Sequence, residues 1–376
     1  MTAVPSSISN SDIYATTRHT ARGNWIGPLT AASLLLIGFI AYMEMRLAVR
    51  GFDPSMVDNN LVWAEQRERA SSLGGRALII VGASRAQLDL DLDTLRLKTG
   101  LEPVQLALDA SSILPVLQGL ADDPQVTGTV LVDFQASDLA SATPRGQSAV
   151  FEASWEWNRR ALLPSFSITE ARLTNHWRRT LRSYADGATP LSSLISRVLN
   201  PHPVRQYMLN LANRERMADY RLVAMPQAYL SRVATDLRDE TGIDVLADDQ
   251  KPTATVLEAR IQQQIGRLGI ADTSAFDVNM KTTATLVHRI QNRGGKVLFV
   301  EMPTSGLEHD LIERRYPRER FWDRFLAETG AVGLRAGDNL QLQKFTCPDG
   351  SHLDYRDQVA FTSALANAFW PAADLR

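Results

Sequence analysis

The sequence ALIIVGASRAQLDLD at residues 77–91 decides the fold of this chain. Its five apolar residues, 77–81, run directly into Gly82, Ala83 and Ser84. A short apolar run rich in Ile that ends at a glycine is typical of a buried strand in a parallel sheet. Ligands of open α/β sheets bind at the carboxyl ends of such strands. Because its hydroxyl is exposed there and its N–H lies near a helix start, we interpret Ser84 as a candidate nucleophile.

The rest of the chain alternates between strand-like and helix-like segments on both sides of a long middle segment. This alternation predicts an α/β fold, a three-layer sandwich on a five-stranded parallel sheet. The other four predicted strands cover residues 103–108, 128–133, 296–300 and, more weakly, 331–334.

The middle segment, about residues 145–275, breaks this rhythm with helical runs such as 191–199 and 254–268. We predict a mostly helical insertion between the third and fourth strands. A separate domain is the alternative, although no flexible linker marks its edges.

The second clear signal is a segment of nineteen uncharged residues, 25–43. At 1.5 Å per residue it is long enough to cross a hydrocarbon core, and Trp25 and Tyr42 suit the two interfaces. A cleaved signal peptide is the alternative, but its apolar region would be shorter and a small-x-small site would follow it. Here Glu44 and Arg46 follow instead, which favours an uncleaved anchor.

The anchor sets the expected topology. Arginines flank the span on both sides, so their distribution does not decide the orientation. The short first segment and the large following domain favour a single-pass protein of the inner membrane with its domain in the periplasm. We expect four parts: a cytoplasmic tail at 1–24, the transmembrane anchor at 25–45, a stalk and entry helix at 46–75, and the main domain at 76–376.

Composition limits the classes of function. A hydrophobic fraction of 44% and a charged fraction of 22% are ordinary for a globular domain. The 40 Lys and Arg residues nearly balance the 42 Asp and Glu residues, so the net charge gives no sign of a nucleic-acid-binding protein. The single cysteine, Cys347, excludes an intrachain disulfide. The histidines show no metal-ligand spacing and no phosphate loop appears, so we expect neither a metal nor a cofactor.

A base for Ser84 stands near the far end of the chain, where residues 349–352 read Asp-Gly-Ser-His. Three residues apart in one turn of backbone, Asp349 and His352 can face the same way. The Asp would then hold the imidazole in one tautomer while the other ring nitrogen faces the serine. Alone, Ser84 reads as a helix cap, His352 as a packed histidine and Asp349 as a turn residue. Their order along the fold favours an acyl-transfer triad.

This order resembles the SGNH (GDSL-like) hydrolase superfamily. In that family a Gly-Asp-Ser block follows the first strand and an Asp-x-x-His block precedes the final helix. The matching residues here are 82–84 and 349–352, and the resemblance covers roughly 75–140 and 280–370. The Ser84-Arg85 pair looks more closely like the membrane-anchored periplasmic SGNH-like proteins associated with polysaccharide O-acetylation. The resemblance implies an SGNH/flavodoxin-like sheet.

The sequence departs from this family at the oxyanion hole. Ala83 replaces the Asp of the first block, which is not the nucleophile. The second block normally supplies a glycine N–H, whereas residues 109–112 read Asp-Ala-Ser-Ser, which makes the N–H of Ser111 the candidate. The third block normally supplies an Asn side chain, for which Gln135 is the candidate substitute here; a charged Asp133 would repel an oxyanion. Loss of one donor costs about 100- to 1,000-fold in rate.

The resemblance therefore implies two functions of different class. The first is a membrane-anchored acyl-ester hydrolase or O-acetyltransferase that acts on a cell-envelope or exported polysaccharide. The second is a non-catalytic SGNH-like scaffold or glycan-binding partner of an integral-membrane acyltransferase. Arg85 would bind an anionic substrate or, in its ordinary role, form a salt bridge with a neighbouring carboxylate. No nucleic-acid partner is expected.

Overall fold

Five parallel strands form one sheet in the computed structural model, which describes residues 25–160, 166–246 and 252–371. Its strands are β1 Ala77–Val81, β2 Glu102–Gln105, β3 Thr129–Asp133, β6 Lys296–Glu301 and β7 Val332–Arg335. Two further strands, β4 Met208–Asn210 and β5 Arg216–Ala218, form a separate antiparallel ribbon. The sheet has the order β2-β1-β3-β6-β7, and each neighbouring pair is parallel. The predicted α/β fold with a five-stranded parallel sheet is confirmed.

The second strand ends three residues before its predicted end at residue 108. Its hydrogen bonding continues on one side, because the N–H groups of Leu106 and Leu108 donate to the carbonyl oxygens of Ile80 and Gly82 at 2.8 and 3.0 Å. This extra pairing carries the chain to the edge of the sheet where β1 also ends.

Helices cover both faces of the sheet. In the described residues they are α1 Ile26–Val49, α2 Asn60–Leu73, α3 Ser84–Leu88, α4 Leu92–Thr99, α5 Leu114–Asp122, α6 Ala136–Leu139, α7 Ser148–Arg160, α8 Phe166–Thr180, α9 Pro190–Ser193, α10 Gln227–Thr241, α11 Ala254–Arg267, α12 Ser274–Gln291, α13 Gly306–Arg315, α14 Trp322–Thr329 and α15 Tyr355–Phe369. This arrangement is consistent with a three-layer sandwich.

The two-residue period of each strand divides the core in two. Ile79 and Val81 of β1 pack with α2, α5, α12 and α14 on one face. Leu78 and Ile80 pack with α4 and α15 on the other. Burial of each such side chain stabilises the fold by about 1.5–3 kcal/mol relative to exposure. The strand is apolar throughout because both of its faces are covered.

The closing helix α15 packs one apolar side on the core. Val359 is 54% exposed, whereas Phe361 and Leu365, four residues apart, are buried on that side. They join the same core half as Leu78, which holds the start of α15 close to the carboxyl ends of the strands.

The segment at about 145–275 lies outside the parallel sheet. Its described residues hold α7 to α11 and also an antiparallel ribbon of β4 and β5, which the sequence pattern did not predict. The run predicted as one helix at 191–199 consists of α9 followed by a π-helical turn, Leu194–Val198. The ribbon packs on the start of the sheet domain, since Ala218 and Tyr220 contact Leu88.

One N-terminal helix, α1, is long and apolar enough to span a membrane. It continues to Val49, beyond the predicted end at residue 45. Its last turns pack on the insertion, where the Glu44 carboxylate accepts the N–H groups of Arg182 and Ser183 at 2.8 and 2.9 Å. The segment expected as stalk and entry helix comprises the end of α1, an irregular stretch and α2. The expected tail at 1–24 lies outside the described residues.

Candidate active site

Ser84 is the first residue of α3, directly after the turn that leaves β1. That turn passes very close to β3. A Cβ at Gly82 would lie 2.6 Å from the Cβ of Asp133 and 2.9 Å from that of Ala86, so only glycine fits there. The close passage places the half-buried Ser84 at the carboxyl end of the strand, as the sequence predicted.

The Asp-Gly-Ser-His loop folds around its own first side chain. The Oδ1 atom of Asp349 accepts the N–H groups of Ser351 and His352 at 3.0 and 2.8 Å. Gly350 has φ +88°, and a Cβ there would lie 2.9 Å from side-chain atoms of Glu308 and Tyr229. This tight loop turns the second carboxylate oxygen toward the imidazole three residues later.

The three predicted residues converge. The Nε2 atom of His352 lies 2.8 Å from the Oγ of Ser84, and its Nδ1 lies 2.8 Å from Oδ2 of Asp349. Both distances fall within the hydrogen-bond range that a general base requires, about 2.6–3.2 Å. Because Nδ1 donates to the carboxylate, Nε2 is left to accept the serine proton.

Burial and charge set the protonation states of the pair. Burial lowers the pKa of His352 below its ordinary value, although the hydrogen bond from Nδ1 to Asp349 opposes the shift. Burial opposes ionisation of Asp349, but the hydrogen bond and charge of His352, with Arg232 and Tyr220, hold its pKa well below the usual range. The imidazole is therefore a neutral acceptor beside a charged carboxylate at neutral pH.

Two residues of the insertion complete the site, and the sequence reasoning missed both. The hydroxyl of Tyr220 donates to Oδ2 of Asp349 at 2.7 Å. A guanidinium nitrogen of Arg232, on α10, lies 3.6 Å from the same oxygen. Neither residue belongs to a motif, and both stand far from position 349 in the chain. No local signal could have found them.

A second set of buried bonds clamps the histidine loop to α3. Asp89, just after α3, accepts the N–H of Leu353 at 2.9 Å, and burial raises its pKa well above the ordinary value. The side chain of Gln358, on α15, donates to the carbonyl oxygens of Leu88 and Arg216. These bonds join the first and last motifs to the ribbon, so the serine and histidine keep their separation.

The predicted oxyanion donors are already engaged. The N–H of Ser111 donates to the carbonyl of Leu108 at 3.2 Å. The side-chain amide of Gln135 donates to Asp133 at 2.9 Å. Both residues line the cleft. The N–H of Ser111 is not free, whereas the Gln135 amide keeps a second N–H. Burial raises the pKa of Asp133, which reduces the charge that would repel an oxyanion.

A different residue of the second block has the unusual backbone. Ala110 adopts φ +47°, in the left-handed region that glycine favours, and it lines the cleft beside Ser84. The left-handed backbone therefore lies at Ala110 and not at Ser111.

Arg85 lines the same cleft and is buried. The expected salt bridge is not formed: within the described part of the chain, no carboxylate oxygen lies within 4.0 Å of its guanidinium. Burial raises the pKa of several neighbouring acids, among them Asp89, Asp133 and Glu308, and the positive charge of Arg85 opposes that rise. Arg85 acts as a central positive charge among carboxyl groups.

The cleft over Ser84 has a volume of about 360 Å³ and is rich in carboxyl groups. Burial, with the charge of Asp236, raises the pKa of Glu308 to about 8. Three arginines also line the walls: Arg85, Arg145 and Arg232. Among the described residues, no group of three or more His, Cys, Asp or Glu is placed to hold a metal ion.

No family model and no curated protein matches this chain. Its function must therefore be inferred from the geometry of the cleft.

That geometry supports one kind of chemistry in particular. A serine hydroxyl, a neutral imidazole and a charged carboxylate form one hydrogen-bonded row that opens into a cleft. Such a row can transfer the serine proton to the imidazole and stabilise the resulting imidazolium.

Proposed function

We propose that this chain is a membrane-anchored serine esterase or O-acyltransferase of the SGNH type. The observation that carries the proposal is the continuous hydrogen-bonded row from Ser84 through His352 to Asp349. The resemblance of residues 82–84 and 349–352 to the first and last SGNH blocks supports it.

In the proposed reaction, the Oγ of Ser84 attacks an ester carbonyl while Nε2 of His352 takes its proton. The imidazolium then gives that proton to the departing alcohol as the acyl bond to the alcohol breaks, which leaves an acyl-enzyme. His352 next removes a proton from water or from a sugar hydroxyl, which attacks the acyl carbon and releases Ser84. Asp349 keeps the imidazole oriented and stabilises its positive form.

The oxyanion of each tetrahedral intermediate needs donors at the mouth of the cleft. The backbone N–H of Ser84 lies at the start of α3, where the first N–H groups of a helix have no intrahelical acceptor. We assign the second donor to the backbone N–H of Ala110, in place of the Ser111 donor expected from the sequence. The side-chain amide of Gln135 has a second N–H besides the one that binds Asp133, and it is a further candidate donor.

The cleft walls favour a hydroxyl-rich acceptor. Carboxyl groups such as Asp236 and Glu308 can form hydrogen bonds with sugar hydroxyls. This suits the proposed polysaccharide substrate. In this proposal α1 anchors the chain in the inner membrane with residues 1–24 in the cytoplasm, the domain lies in the periplasm, and an integral-membrane acyltransferase is the partner that supplies acyl groups.

A non-catalytic scaffold is the second candidate, and one observation favours it. The two donors expected from the second and third blocks, at Ser111 and Gln135, both donate to internal acceptors. A chain of this type would use the cleft to hold a glycan for a partner acyltransferase without forming an acyl-enzyme.

Reaction with a fluorophosphonate separates the two candidates. The purified full-length chain in detergent micelles is treated with the probe, and the labelled residue is located by peptide mass spectrometry. The esterase proposal expects labelling at Ser84, its loss in Ser84→Ala, and full labelling in the matched control Ser137→Ala, which alters another serine of the cleft. Folded protein that takes up no probe would support the scaffold instead.

A further inference from the structure

An apolar stripe follows α9 and the π-helical turn after it. Its members are spaced as i, i+3, i+4, i+7 and i+8, which places them on one side of a helix. They are Leu191, Leu194, Ile195, Val198 and Leu199. Ser192 and Ser196 are exposed between these apolar residues, whereas Ser193 is buried and its hydroxyl donates to the carbonyl oxygen of Ser183 at 2.7 Å. The segment lies on the surface of the insertion.

Only half of the stripe is covered by protein. Leu194 and Val198 pack against Leu47 at the end of α1 and Phe52 just beyond it. The other three side chains are 60–68% exposed: Leu191, Ile195 and Leu199. The exposed half therefore lies directly beside the end of the apolar helix.

The contact is fixed at the depth where α1 loses its apolar character. Met43, the last residue of the uncharged span, is buried, and Glu44 binds the backbone of the insertion. From Met43 to Val49 the helix rises by only about 9 Å. The stripe packs on this short stretch, so a bilayer around α1 would meet it at the interface.

Further bonds hold the stripe to the anchor. A guanidinium nitrogen of Arg50 donates to the carbonyl oxygens of Arg197 and Asn200 at 2.7 and 2.5 Å. The guanidinium of Arg197 lies 4.9 Å from the ring centre of Phe52. The insertion is therefore joined firmly to α1 and cannot swing freely about residue 50.

Basic groups stand next to the apolar residues. A hollow of about 1040 Å³ at the end of α1 is lined by Val49, Phe52, His202 and Arg205, among others. Arg205 is exposed, and Val204 beside it is 88% exposed. An apolar row with adjacent cations is the pattern of helices that lie in the interface of a membrane with anionic lipids.

We infer that residues 190–205 form a membrane-contact surface, on the proposed premise that α1 is inserted in a bilayer. Leu191, Ile195 and Leu199 enter the boundary between headgroups and acyl chains, and Arg205 meets lipid phosphate. The occupant of the stripe is the lipid bilayer itself, because the stripe is continuous with the one helix that reaches it. This surface gives the domain a second contact with the membrane, besides α1, and fixes the orientation of the domain relative to the bilayer.

Spin-label accessibility in the full-length chain tests this surface. Single cysteines are introduced at Ile195, at Leu35 inside α1, and at Leu97 on α4, each of which is exposed on the protein. The native Cys347 is buried, and the unsubstituted chain measures its background labelling. Each protein is placed in nanodiscs that contain phosphatidylglycerol, and collisions with oxygen and with a water-soluble nickel chelate are recorded.

The expected result is several-fold protection of the label at 195 from nickel, relative to the label at 97. The depth should be roughly 5–10 Å below the headgroup surface. If the labels at 195 and 97 are equally exposed to nickel while the label at 35 is protected, the membrane-contact surface is contradicted but the anchor is not. Exposure at both 35 and 195 would overturn the anchor itself. Protection at 195 that appears only with two copies per disc would identify a second copy as the occupant and contradict the inference.

The lipid phosphate is tested by composition. Replacing phosphatidylglycerol with phosphatidylcholine should move the label at 195 toward water, and Arg205→Gln should remove that difference. Arg96→Gln, on the exposed side of α4, is the matched control and should leave the difference in place. Equal depth in both lipids would show that Arg205 does not bind the headgroup.

Discussion

The hydroxyl of Tyr220 lies 2.7 Å from Oδ2 of Asp349, the same oxygen that accepts the hydrogen bond from His352. Tyr220 follows the antiparallel ribbon of the insertion, whereas Asp349 belongs to the loop before the last helix. The insertion therefore contributes to the candidate active site. Burial and the charge of Asp349 raise the pKa of Tyr220, so this hydroxyl always donates.

Tyr220→Phe should slow ester cleavage without changing substrate binding. A hydrogen bond to a charged group contributes about 1.5–3 kcal/mol, so we expect kcat to fall by at least roughly tenfold at constant KM. Steady-state hydrolysis of p-nitrophenyl acetate measures both constants. Tyr207→Phe, at an exposed tyrosine before the ribbon, is the matched control and should retain full activity. An unchanged kcat in Tyr220→Phe would remove Tyr220 from the site.

The three triad residues should act as one unit. Ser84→Ala and His352→Ala should each lower kcat by about 10⁴-fold or more, and the double variant should lose little beyond either single variant. Asp349→Ala should lose less, because a poorly oriented imidazole still accepts protons. His309→Ala, at an exposed histidine, is the control. Additive losses in the Ser84 and His352 double-mutant cycle would contradict a shared proton-transfer step.

The rate should depend on pH through the imidazole. His352 must be neutral to accept the serine proton, and burial lowers its pKa below the ordinary 6.5. Activity should therefore rise with pH, with its half-maximal point below 6.5. The pH profile of kcat/KM for the free enzyme reports this value. In Tyr220→Phe the carboxylate loses a competing donor and binds the imidazolium more strongly, which should move the midpoint upward. A midpoint well above 6.5 in the unsubstituted chain would exclude His352 as the base.

Gly82→Ala should destabilise the sheet at the exit of β1. The added Cβ would lie 2.6 Å from the Cβ of Asp133, so the strand, Asp133 or α3 must shift. Overpacking of this kind costs about 1–3 kcal/mol. The thermal midpoint, followed by circular dichroism in micelles, should fall relative to the unsubstituted chain. Gly269→Ala, where no atom lies within 4 Å of the added Cβ, is the matched control. Equal midpoints in the two variants would show that the turn tolerates a side chain.

The local sequence determined the parallel sheet and the two motif residues that meet across it. Apolar runs such as 77–81 are typical of strands that are buried on both faces. Ligand sites of parallel sheets lie at the carboxyl ends of the strands, which led us to expect the serine after the first strand near the Asp-x-x-His before the last helix. The apolar span at 25–43 could also be recognised from the sequence, since its length and lack of charge are local properties.

Only the tertiary structure decided the rest of the site. Tyr220 and Arg232 reach Asp349 because the insertion folds back over the sheet, and no local pattern encodes that return. The expected donors at Ser111 and Gln135 donate to acceptors within the protein. Arg85 has no ion-pair partner among the described residues. The sequence pattern predicted neither outcome, because hydrogen bonds and ion pairs depend on the surrounding tertiary structure. The apolar stripe at 191–199 reads as an ordinary core helix until its packing against α1 leaves half of it uncovered.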